Sequence, residues 1–468
     1  MSVRMLLIAI VLASFAAASS AAVKPAALFS DNAVLQQGVR VPVWGTAAVG
    51  ETVTVEFQGQ KVSTTAQDGK WMVRLRPLKA GGPFTMTISG QNKIEIKNVC
   101  VGEVWVCSGQ SNMAFTLART ENAAEAIANS ADSQLRLFSV PRAHGDTPLD
   151  DIVAAWQECK PETVPEFTAV GYFFGRDLRK ALGVPVGLIN TSYGGTMAQG
   201  WMRKQALEAD PDFTAAYKVR TVPPNNPSQP GRLYNSMVHP LIPYAIEGVI
   251  WYQGEANRTD AYRYRKVFPA LIRNWRCDWG QGDFAFLFVQ LAPFGPRPDK
   301  PEEQNLPELR ESQLLTSRGV PKTAMAVITD YGHVSIHPTQ KEPVGARLAL
   351  AARALAYKHD VSYRGPALAG AQFKGGRAVL SFADTCGGLV AKGDELTGFM
   401  IAARDGAFHA ARASIVGDRV VVSSPDVPNP VAVRYGWSAY PVVNLFNKAG
   451  LPASPFRTDD FPLTTQPK

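Results

Sequence analysis

Apolar segments that alternate with helical patterns constrain the fold of this chain more than any other feature of its sequence. V-G-E-V-W-V-C (101–107), A-I-E-G-V-I-W-Y-Q (245–253) and F-A-F-L-F-V-Q-L (284–291) are nearly continuous apolar runs of strand length. Between them, apolar residues recur every three or four positions, as in Phe167–Leu182, which is the spacing of a helix. Strands that are apolar on both sides must be buried on both sides, so the pattern predicts a parallel sheet covered by helices.

Further strands and helices continue this alternation. The same patterns predict strands at 134–140, 184–190 and 323–329, and helices at 261–276, 307–317 and 344–357. Strands and helices that follow one another in this way are typical of α/β folds. We therefore predict one α/β domain over residues 101–360.

β structure is predicted on both sides of the α/β domain. E-T-V-T-V-E-F (51–57) alternates with period two, and Asp68-Gly69 stands between two strand-like segments as the signal of a hairpin. After about residue 360 the helical spacing disappears, and R-A-V-L-S-F (377–382) is strand-like. These signals predict an N-terminal β-sandwich-like domain (23–100) and a C-terminal β region (361–468) that packs on the core.

The N-terminus resembles a secretory signal peptide. Met1–Arg4 carries one positive charge, the 14 residues Met5–Ala18 are mostly apolar, and small residues follow up to Ala22. A membrane span needs about 20 apolar residues, so this run is short for an anchor. We expect residues 1–22 to be removed and the protein to be exported to the periplasm or the extracellular space. No other run is long enough to predict a membrane span.

Composition excludes several other classes of protein. Hydrophobic residues make up 46% of the 468 residues and charged residues 19%, which is typical of globular proteins rather than disordered ones. The net charge of +8 comes from scattered basic residues, whereas nucleic-acid-binding proteins cluster theirs, so no nucleic-acid partner is predicted. The five cysteines form no Cys-x-x-Cys pair, and no ligand spacing predicts a metal site.

Polar and glycine-rich clusters follow four of the predicted strands. They are Ser-Gly-Gln-Ser-Asn (108–112), Thr-Ser-Tyr-Gly-Gly-Thr (191–196), Gln-Gly-Glu-Ala-Asn (253–257) and Asp-Tyr-Gly-His-Val-Ser-Ile-His-Pro (330–338). Ligands of an open parallel sheet bind at the carboxyl ends of its strands. We therefore expect these clusters to meet, although each one alone is also typical of an ordinary turn.

Together the clusters supply the groups that acyl transfer requires. The hydroxyl of Ser111 is a weak nucleophile that needs a histidine as base, and the base needs an orienting group. Among six histidines, only His333 and His337 closely follow a core strand that ends in an acid, and spacing does not choose between them. The donors that could stabilise an oxyanion are the backbone N–H groups of Gly194 and Gly195 and the side-chain amides of Gln253 and Asn257.

Several motifs resemble the sialate O-acetylesterase family, which belongs to the SGNH hydrolases and is related to acetylxylan esterases. They are G-Q-S-N-M (109–113), N-T-S-Y-G-G-T (190–196), W-Y-Q-G-E-A-N (251–257) and I-H-P-x-x-K-x-x-V-G-x-R-L-A (336–349). The resemblance extends to L-F-S-D-N-A-V-L-Q-Q (28–37) and L-P-A-S-P-F-R-T-D (451–459). It implies an SGNH-type, flavodoxin-like three-layer α/β/α core with a parallel sheet, flanked by the two β regions.

The resemblance also implies a serine esterase that removes acetyl groups from sugar hydroxyls. Ser111 would be the nucleophile and His337 the base. The Ser111 N–H, an N–H of Gly194 or Gly195, and the Gln253 side chain would form the oxyanion hole. The expected partners are an acetylated carbohydrate and water, with no metal and no cofactor. Further candidates for substrate binding are Asn112, Asn257 and Arg310.

One departure from the family pattern concerns the acid that orients the base. SGNH hydrolases carry Asp-x-x-His, whereas Val334 stands three residues before His337 and Ser335 stands before Ile-His-Pro. Either Glu255 is the acid, which we favour, or Ser111 and His337 act as a dyad oriented by a backbone carbonyl. Asp330 is a third candidate. The missing aspartate also leaves open a different class of function, a non-catalytic carbohydrate-binding protein.

Overall fold

Seven adjacent strands form the central sheet of the protein, with strand β8 in the middle. The computed structural model describes residues 22–211, 223, 225–297 and 305–467, so the predicted signal peptide lies outside the described residues except for Ala22. The strand order is β10-β9-β11-β8-β12-β13-β14, parallel except for β10. The strands are β8 (Lys93–Gly109), β9 (Asp132–Ser139), β10 (Gln157–Cys159), β11 (Val186–Ser192), β12 (Gly248–Tyr252), β13 (Ala285–Val289) and β14 (Thr323–Ala326).

Helices cover both faces of this sheet, which confirms the predicted α/β class. The α-helices are α1 (Ala123–Ala128), α2 (Ala169–Leu182), α3 (Lys204–Glu208), α4 (Ala261–Trp279), α5 (Asn305–Gly319) and α6 (Glu342–Leu355). Short 3₁₀ turns lie at Leu117–Arg119, Ala198–Trp201, His239–Leu241 and Glu255–Asp260, and a π turn at Tyr234–Val238. The helices form two packed pairs, α2 with α6 and α4 with α5.

Aromatic contacts place the two helix pairs on opposite faces. The Trp105 ring on β8 packs on Phe174 of α2 at 5.1 Å. The Trp251 ring on β12 packs on Phe268 of α4 at 6.3 Å. Trp251 lies beside Ser108 in the parallel ladder and shares its face, and Ser108 points away from Trp105 because side chains alternate along a strand. The sheet is therefore buried on both sides, as its apolar strands require.

The N-terminal β region is continuous with the central sheet through β8. Its strands are β1 (Lys24–Pro25), β2 (Val34–Gln36), β3 (Val41–Thr46), β4 (Thr52–Phe57), β5 (Gln60–Thr65), β6 (Lys70–Leu75) and β7 (Gly81–Ser89). β2 and β7 pair with the first half of β8, and β11 and β12 pair with the second half. The boundary predicted between residues 100 and 101 therefore falls inside one strand.

The hairpin predicted at Asp68-Gly69 is wrong in its pairing. Both residues adopt positive φ angles, 51° and 76°, and Gln67 and Lys70 bridge the turn. Beyond the turn the strands separate, because β5 pairs with β4 whereas β6 pairs with β3 in another sheet. The buried residues of β4 and β6 belong to one core, so a strand on each side of that core buries more apolar surface than a flat hairpin would.

The C-terminal β region has an apolar core of its own. Its strands are β15 (Ala367–Lys374), β16 (Arg377–Ala383), β17 (Leu389–Ala391), β18 (Phe399–Ala402), β19 (Phe408–Ala410), β20 (Arg412–Val416), β21 (Arg419–Ser423), β22 (Ala432–Tyr435), β23 (Leu445–Asn447) and β24 (Phe456–Arg457). They form sheets β15-β16-β21-β20, β17-β23 and β19-β18-β22-β24. In the described part of the chain, no helix is long and apolar enough to cross a membrane.

Charged side chains of α5 attach the C-terminal region to the α/β domain. Arg310 is fully buried and donates to the backbone carbonyls of Leu291, Ala292, Ser438 and Ala439 at 2.7–2.9 Å. Glu308 and Glu311 accept hydrogen bonds from further residues of the C-terminal region. The prediction that Arg310 binds substrate is wrong, because its donors are used by backbone carbonyls inside the protein.

We expect Arg310→Met to lower the free energy of unfolding by about 3 kcal/mol or more, because it leaves buried carbonyls without donors. Urea unfolding measures this loss, and Arg318→Met, at an exposed position of the same helix, is the control. If Arg310→Met kept wild-type stability but had a raised KM, Arg310 would bind substrate and the structural role would be contradicted.

Glu247 lies close to Glu103 where the N-terminal region meets the central sheet. Burial, and secondarily the charge of Glu103, raise the pKa of Glu247 from 4.5 to about 7. Glu103 itself accepts hydrogen bonds from Gln36, Gln37 and the Tyr357 hydroxyl. The carboxyl groups of Glu103 and Glu247 thus share a site formed by both regions of the chain.

We expect Glu247→Gln to flatten the pH dependence of stability. Between about pH 4.5 and 7 the unfolded chain releases the Glu247 proton while the folded protein keeps it, so the wild-type free energy of unfolding falls as pH rises. Chemical unfolding at several pH values from 4.5 to 8 measures the slope, with the exposed Glu56→Gln as control. Equal slopes in wild type and Glu247→Gln would contradict the assignment.

Candidate active site

The turn that carries Ser111 is pressed against the neighbouring strand. Gly109, the last residue of β8, has a φ of 137°, and a Cβ there would lie 2.2 Å from the Tyr252 carbonyl oxygen on β12. Only glycine fits such a close approach. Gln110 then donates its N–H to the same carbonyl at 2.9 Å, and its side-chain oxygen accepts from the Gly254 N–H at 3.2 Å. The serine turn and the Gln-Gly-Glu turn are therefore held together.

The structure brings Ser111 and His337 into hydrogen-bond contact. The Ser111 Oγ lies 2.8 Å from the His337 Nε2, and both side chains are half-buried. Ser108 is buried and donates its hydroxyl to the Thr191 carbonyl at 2.7 Å. The exposed His333 imidazole accepts from a neighbouring backbone N–H instead of reaching the serine. Of the candidate serines and histidines, Ser111 and His337 are the pair with the geometry of nucleophile and base.

Burial and two nearby cations favour the neutral form of His337. Burial has the largest effect in lowering the pKa of His337 below its ordinary 6.5, followed by the charges of Lys341 and Arg119. The ring of Phe115 lies next to this histidine at 6.5 Å, with the Arg119 guanidinium 4.5 Å and the Lys341 ammonium 4.8 Å from the ring centre. A neutral imidazole can accept a proton, which is what a general base must do.

Glu255 does not contact His337. Its Oε1 accepts from the Asn112 Nδ2 at 2.6 Å, and its Oε2 has no hydrogen-bond partner among the described residues. The prediction that Glu255 is the acid that orients His337 is therefore wrong, because its carboxylate contacts Asn112 instead. Asp330 does not reach the imidazole either, because both of its oxygens pair with Arg347 at 2.6 Å. Within the described chain, no acid orients His337 directly.

Glu255 belongs to a buried polar cluster behind the serine. Burial raises the pKa of Glu255 and lowers that of Lys341 to about 7, while the two opposite charges partly counteract these shifts. The Lys341 ammonium donates to the Asn112 Oδ1 at 2.6 Å and also lies 5.4 Å from the centre of the Tyr252 ring. The sequence motif I-H-P-x-x-K contained Lys341, but nothing in the spacing indicated its partner.

Two backbone N–H groups next to Ser111 remain available for a ligand. A Cβ on Gly194 would lie 3.4 Å from the Ser111 Cβ, whereas a Cβ on Gly195 would meet nothing within 4 Å. Neither the Ser111 N–H nor the Gly194 N–H donates a hydrogen bond to another described residue. Gly194 is therefore the glycine that faces the serine, a choice that the sequence left open.

The side-chain amides predicted to bind ligand form hydrogen bonds inside the protein instead. Gln253 is fully buried; its Nε2 donates to the Thr196 carbonyl at 3.1 Å and to the Asn257 Oδ1 at 2.7 Å, and its Oε1 accepts from Tyr264. Its predicted role in the oxyanion hole is therefore wrong, because both of its N–H groups are used. Asn257 is likewise buried within hydrogen bonds, and Asn112 is completely enclosed, so neither faces substrate.

Metal-ligating residues do not gather in the described part of the chain: it contains no group of three or more His, Cys, Asp or Glu side chains that could hold a metal ion. The five cysteines are free, and Cys100, Cys107 and Cys159 are buried. The groups at the site are thus a hydroxyl, an imidazole and backbone amides, the set that acyl transfer uses.

Comparisons with known proteins show similarity to carbohydrate esterases. The family described as carbohydrate esterase, sialic acid-specific acetylesterase matches residues 101–354. A human sialate O-acetylesterase is 34% identical over 389 residues, covering 73% of this chain and 72% of that protein. The mouse sialate O-acetylesterase is 33% identical and covers 69% of this chain and 72% of its own.

A solved structure extends the similarity to nearly the whole fold. The crystal structure of a carbohydrate acetylesterase from Xanthomonas citri superposes with a TM-score of 0.88 at 42% identity, covering 94% of this chain and 100% of that one. The chain therefore belongs to the family of sialic acid-specific acetylesterases among the carbohydrate esterases, and it is a carboxylic ester hydrolase.

Proposed function

We propose that this protein removes O-acetyl groups from carbohydrates, with Ser111 as nucleophile and His337 as base. The observation that carries the proposal is the 2.8 Å contact between the Ser111 Oγ and the His337 Nε2 at the carboxyl edge of the sheet. The similarity to proteins named sialate O-acetylesterase and carbohydrate acetylesterase supports the substrate class. The proposed fold type is the SGNH hydrolase core, in which a serine follows the first strand of the sheet.

The first half-reaction transfers the acetyl group to the enzyme. His337 takes the Ser111 proton on Nε2 while the Oγ attacks the acetyl carbonyl carbon. The N–H groups of Ser111 and Gly194 stabilise the resulting oxyanion. When the intermediate collapses, the bond between the acetyl carbon and the sugar oxygen breaks, and His337 gives its proton to that oxygen. The sugar leaves with a free hydroxyl, and Ser111 carries an acetyl ester.

The second half-reaction releases acetate. His337 takes a proton from a water molecule, whose oxygen attacks the acetyl carbon of the ester. The same two N–H groups stabilise the second oxyanion. The Ser111 oxygen then leaves and recovers its proton from His337, so the enzyme returns to its starting state with neither a cofactor nor an external reductant.

The contacts around His337 favour a Ser-His dyad over a Ser-His-acid triad. No described acid touches His337, and a lowered pKa keeps the imidazole neutral without one. In a triad the acid stabilises the imidazolium that forms during the reaction. Here no described carboxylate does so, and burial disfavours the charged ring, which makes His337 a weaker but correctly placed base.

The substrate is proposed to be an O-acetylated sugar, either a sialic acid of the 9-O-acetyl type or an acetylated plant polysaccharide. The contact between Ser111 and His337 is intact, so nothing favours the alternative of a non-catalytic binding protein. We also propose that the protein is exported to the periplasm or beyond the cell. The charged start, apolar run and small residues of the first 22 positions support that proposal.

We expect Ser111→Ala to lower kcat for acetate release by at least about 10⁴-fold, because the Ser111 hydroxyl is the one that contacts His337. Release of acetate from a panel of acetylated sialic acids, xylans and xyloglucans measures the loss and ranks the substrates. Ser108→Ala, in the same turn, is the matched control and should retain most of the activity. An unchanged kcat in Ser111→Ala would contradict the proposed serine mechanism.

The acid limb of the kcat/KM profile is expected below pH 6.5, because the pKa of His337 is lowered and the neutral form is active. Arg119→Gln removes one of the charges that lower it, so the limb should move toward higher pH. The exposed Arg40→Gln, in the N-terminal region, is the control. A limb above pH 6.5 in wild type, or no shift in Arg119→Gln at low ionic strength, would contradict the assignment.

A further inference from the structure

A buried asparagine joins the turn that carries Ser111 to the loop that carries His337. Asn112 follows Ser111 directly and is 0% exposed. Its Nδ2 donates to the carbonyl oxygen of Ile336, the residue before His337, at 3.0 Å. Two neighbouring residues of one segment are thus bonded to two neighbouring residues of the other, because Ser111 contacts His337 at 2.8 Å.

Two charged side chains determine how the Asn112 amide is oriented. The Lys341 ammonium, which has only donors, faces the Asn112 Oδ1 at 2.6 Å. The Glu255 Oε1, an acceptor, faces the Nδ2 at 2.6 Å. Exchanging oxygen and nitrogen would set donor against donor and acceptor against acceptor. The second Nδ2 hydrogen is therefore held toward Ile336.

We propose that Asn112 is a positioning residue, whose bond to the Ile336 carbonyl holds His337 at hydrogen-bonding distance from Ser111. Glu255 and Lys341 act through Asn112, by keeping its amide in the orientation that this bond needs. The inference rests on the proposed function, since it assigns a task around the same serine and histidine. It gives the acid of the Gln-Gly-Glu motif a role without contact to the imidazole.

The loop around His337 shows why such a link is needed. Val334, three residues before the histidine, is 75% exposed, and Ser335 is exposed as well. Ser335 Oγ accepts from the His337 N–H at 3.2 Å, which is a contact within the loop itself. The Asn112–Ile336 bond is instead a link to the buried sheet. Other backbone bonds hold this loop at least two residues away from His337, so the bond to Ile336 anchors it directly beside the histidine.

Burial strengthens the two contacts that orient Asn112. Glu255 and Lys341 are 3% and 1% exposed, and their side chains meet on Asn112. Hydrogen bonds between enclosed polar groups are stronger than in water, so the contacts of Glu255 and Lys341 hold the amide in its orientation. A small displacement of a base from its nucleophile can lower a rate about 100-fold, which sets the size of the expected effect.

The test compares kcat and KM for acetyl-ester hydrolysis in wild type, Asn112→Ala, Glu255→Gln and a control. Asn112→Ala should lower kcat about 100-fold at nearly unchanged KM, because the base is displaced while the substrate surface is intact. Glu255→Gln should lower kcat less than about tenfold, because the glutamine oxygen still accepts from Asn112. A direct triad acid would instead cost about 10⁴-fold.

Asn274→Ala is the matched control for the loss of a buried amide. Asn274 is 5% exposed, accepts from the Arg203 N–H and donates to Asp278, away from the serine. It should lose stability, as measured by thermal unfolding, but keep the wild-type kcat. If Asn112→Ala does not fold, the double variant Glu255→Gln/Lys341→Met removes both orienting charges without leaving one unpaired. It should lower kcat about 100-fold at constant KM.

The outcomes separate this inference from the proposed function. If Ser111→Ala is inactive while Asn112→Ala or the double variant keeps the wild-type kcat, the positioning role is overturned and the serine mechanism stands. A loss of about 10⁴-fold in Glu255→Gln would overturn it in favour of a direct acid. Full activity in Ser111→Ala would overturn the serine mechanism and the positioning role together. The inference is supported when kcat falls in Asn112→Ala but not in Asn274→Ala.

Discussion

The two-sided burial of β8 is the constraint on which the rest of the structure depends. Its first half pairs with strands of the N-terminal β region, and its second half lies between β11 and β12. In this central position β8 pairs with both neighbours up to Gly109, at the carboxyl ends of the parallel strands. Gly109 lets it turn there against the Tyr252 carbonyl, and Ser111 follows at a fixed height above the neighbouring strands.

The register of the parallel ladder brings the other groups to the same place. Ser192 lies beside Gly109 at the end of β11, so Gly194 comes next to Ser111. Tyr252 lies on the other side of Gly109, so the Gln-Gly-Glu turn comes beneath the serine turn. Backbone pairing therefore decides which side chains meet, and the chemistry of the site follows from the sheet.

The polar groups at the carboxyl ends of the strands have different roles according to how deeply they are buried. Gln253 lies inside the protein and stabilises its surroundings through a complete set of hydrogen bonds, whereas Ser111 and His337 remain half-buried and open to a ligand. Asn112 connects the two groups, because it contacts the buried Glu255 and also the residue before His337. Since a buried polar atom must find a partner within the protein, residues of the same motif can have different roles according to their depth.

The sequence alone determined the α/β class, the order of the long strands and helices of the α/β domain, and the strand ends at which ligands could bind. Apolar periodicity encodes these features locally, and glycine and polar residues mark the ends of strands. The residues at the strand ends indicated Ser111 and either His333 or His337, and the resemblance to the esterase family implied His337. Only the tertiary structure decided that Gly194 rather than Gly195 faces the serine, that Gln253 is a structural amide, and that Glu255 contacts Asn112. The same holds for the hairpin at Asp68-Gly69, whose strands belong to different sheets. These outcomes depend on hydrogen-bond partners that are distant in the chain, and spacing along a sequence carries no information about which buried atom meets which.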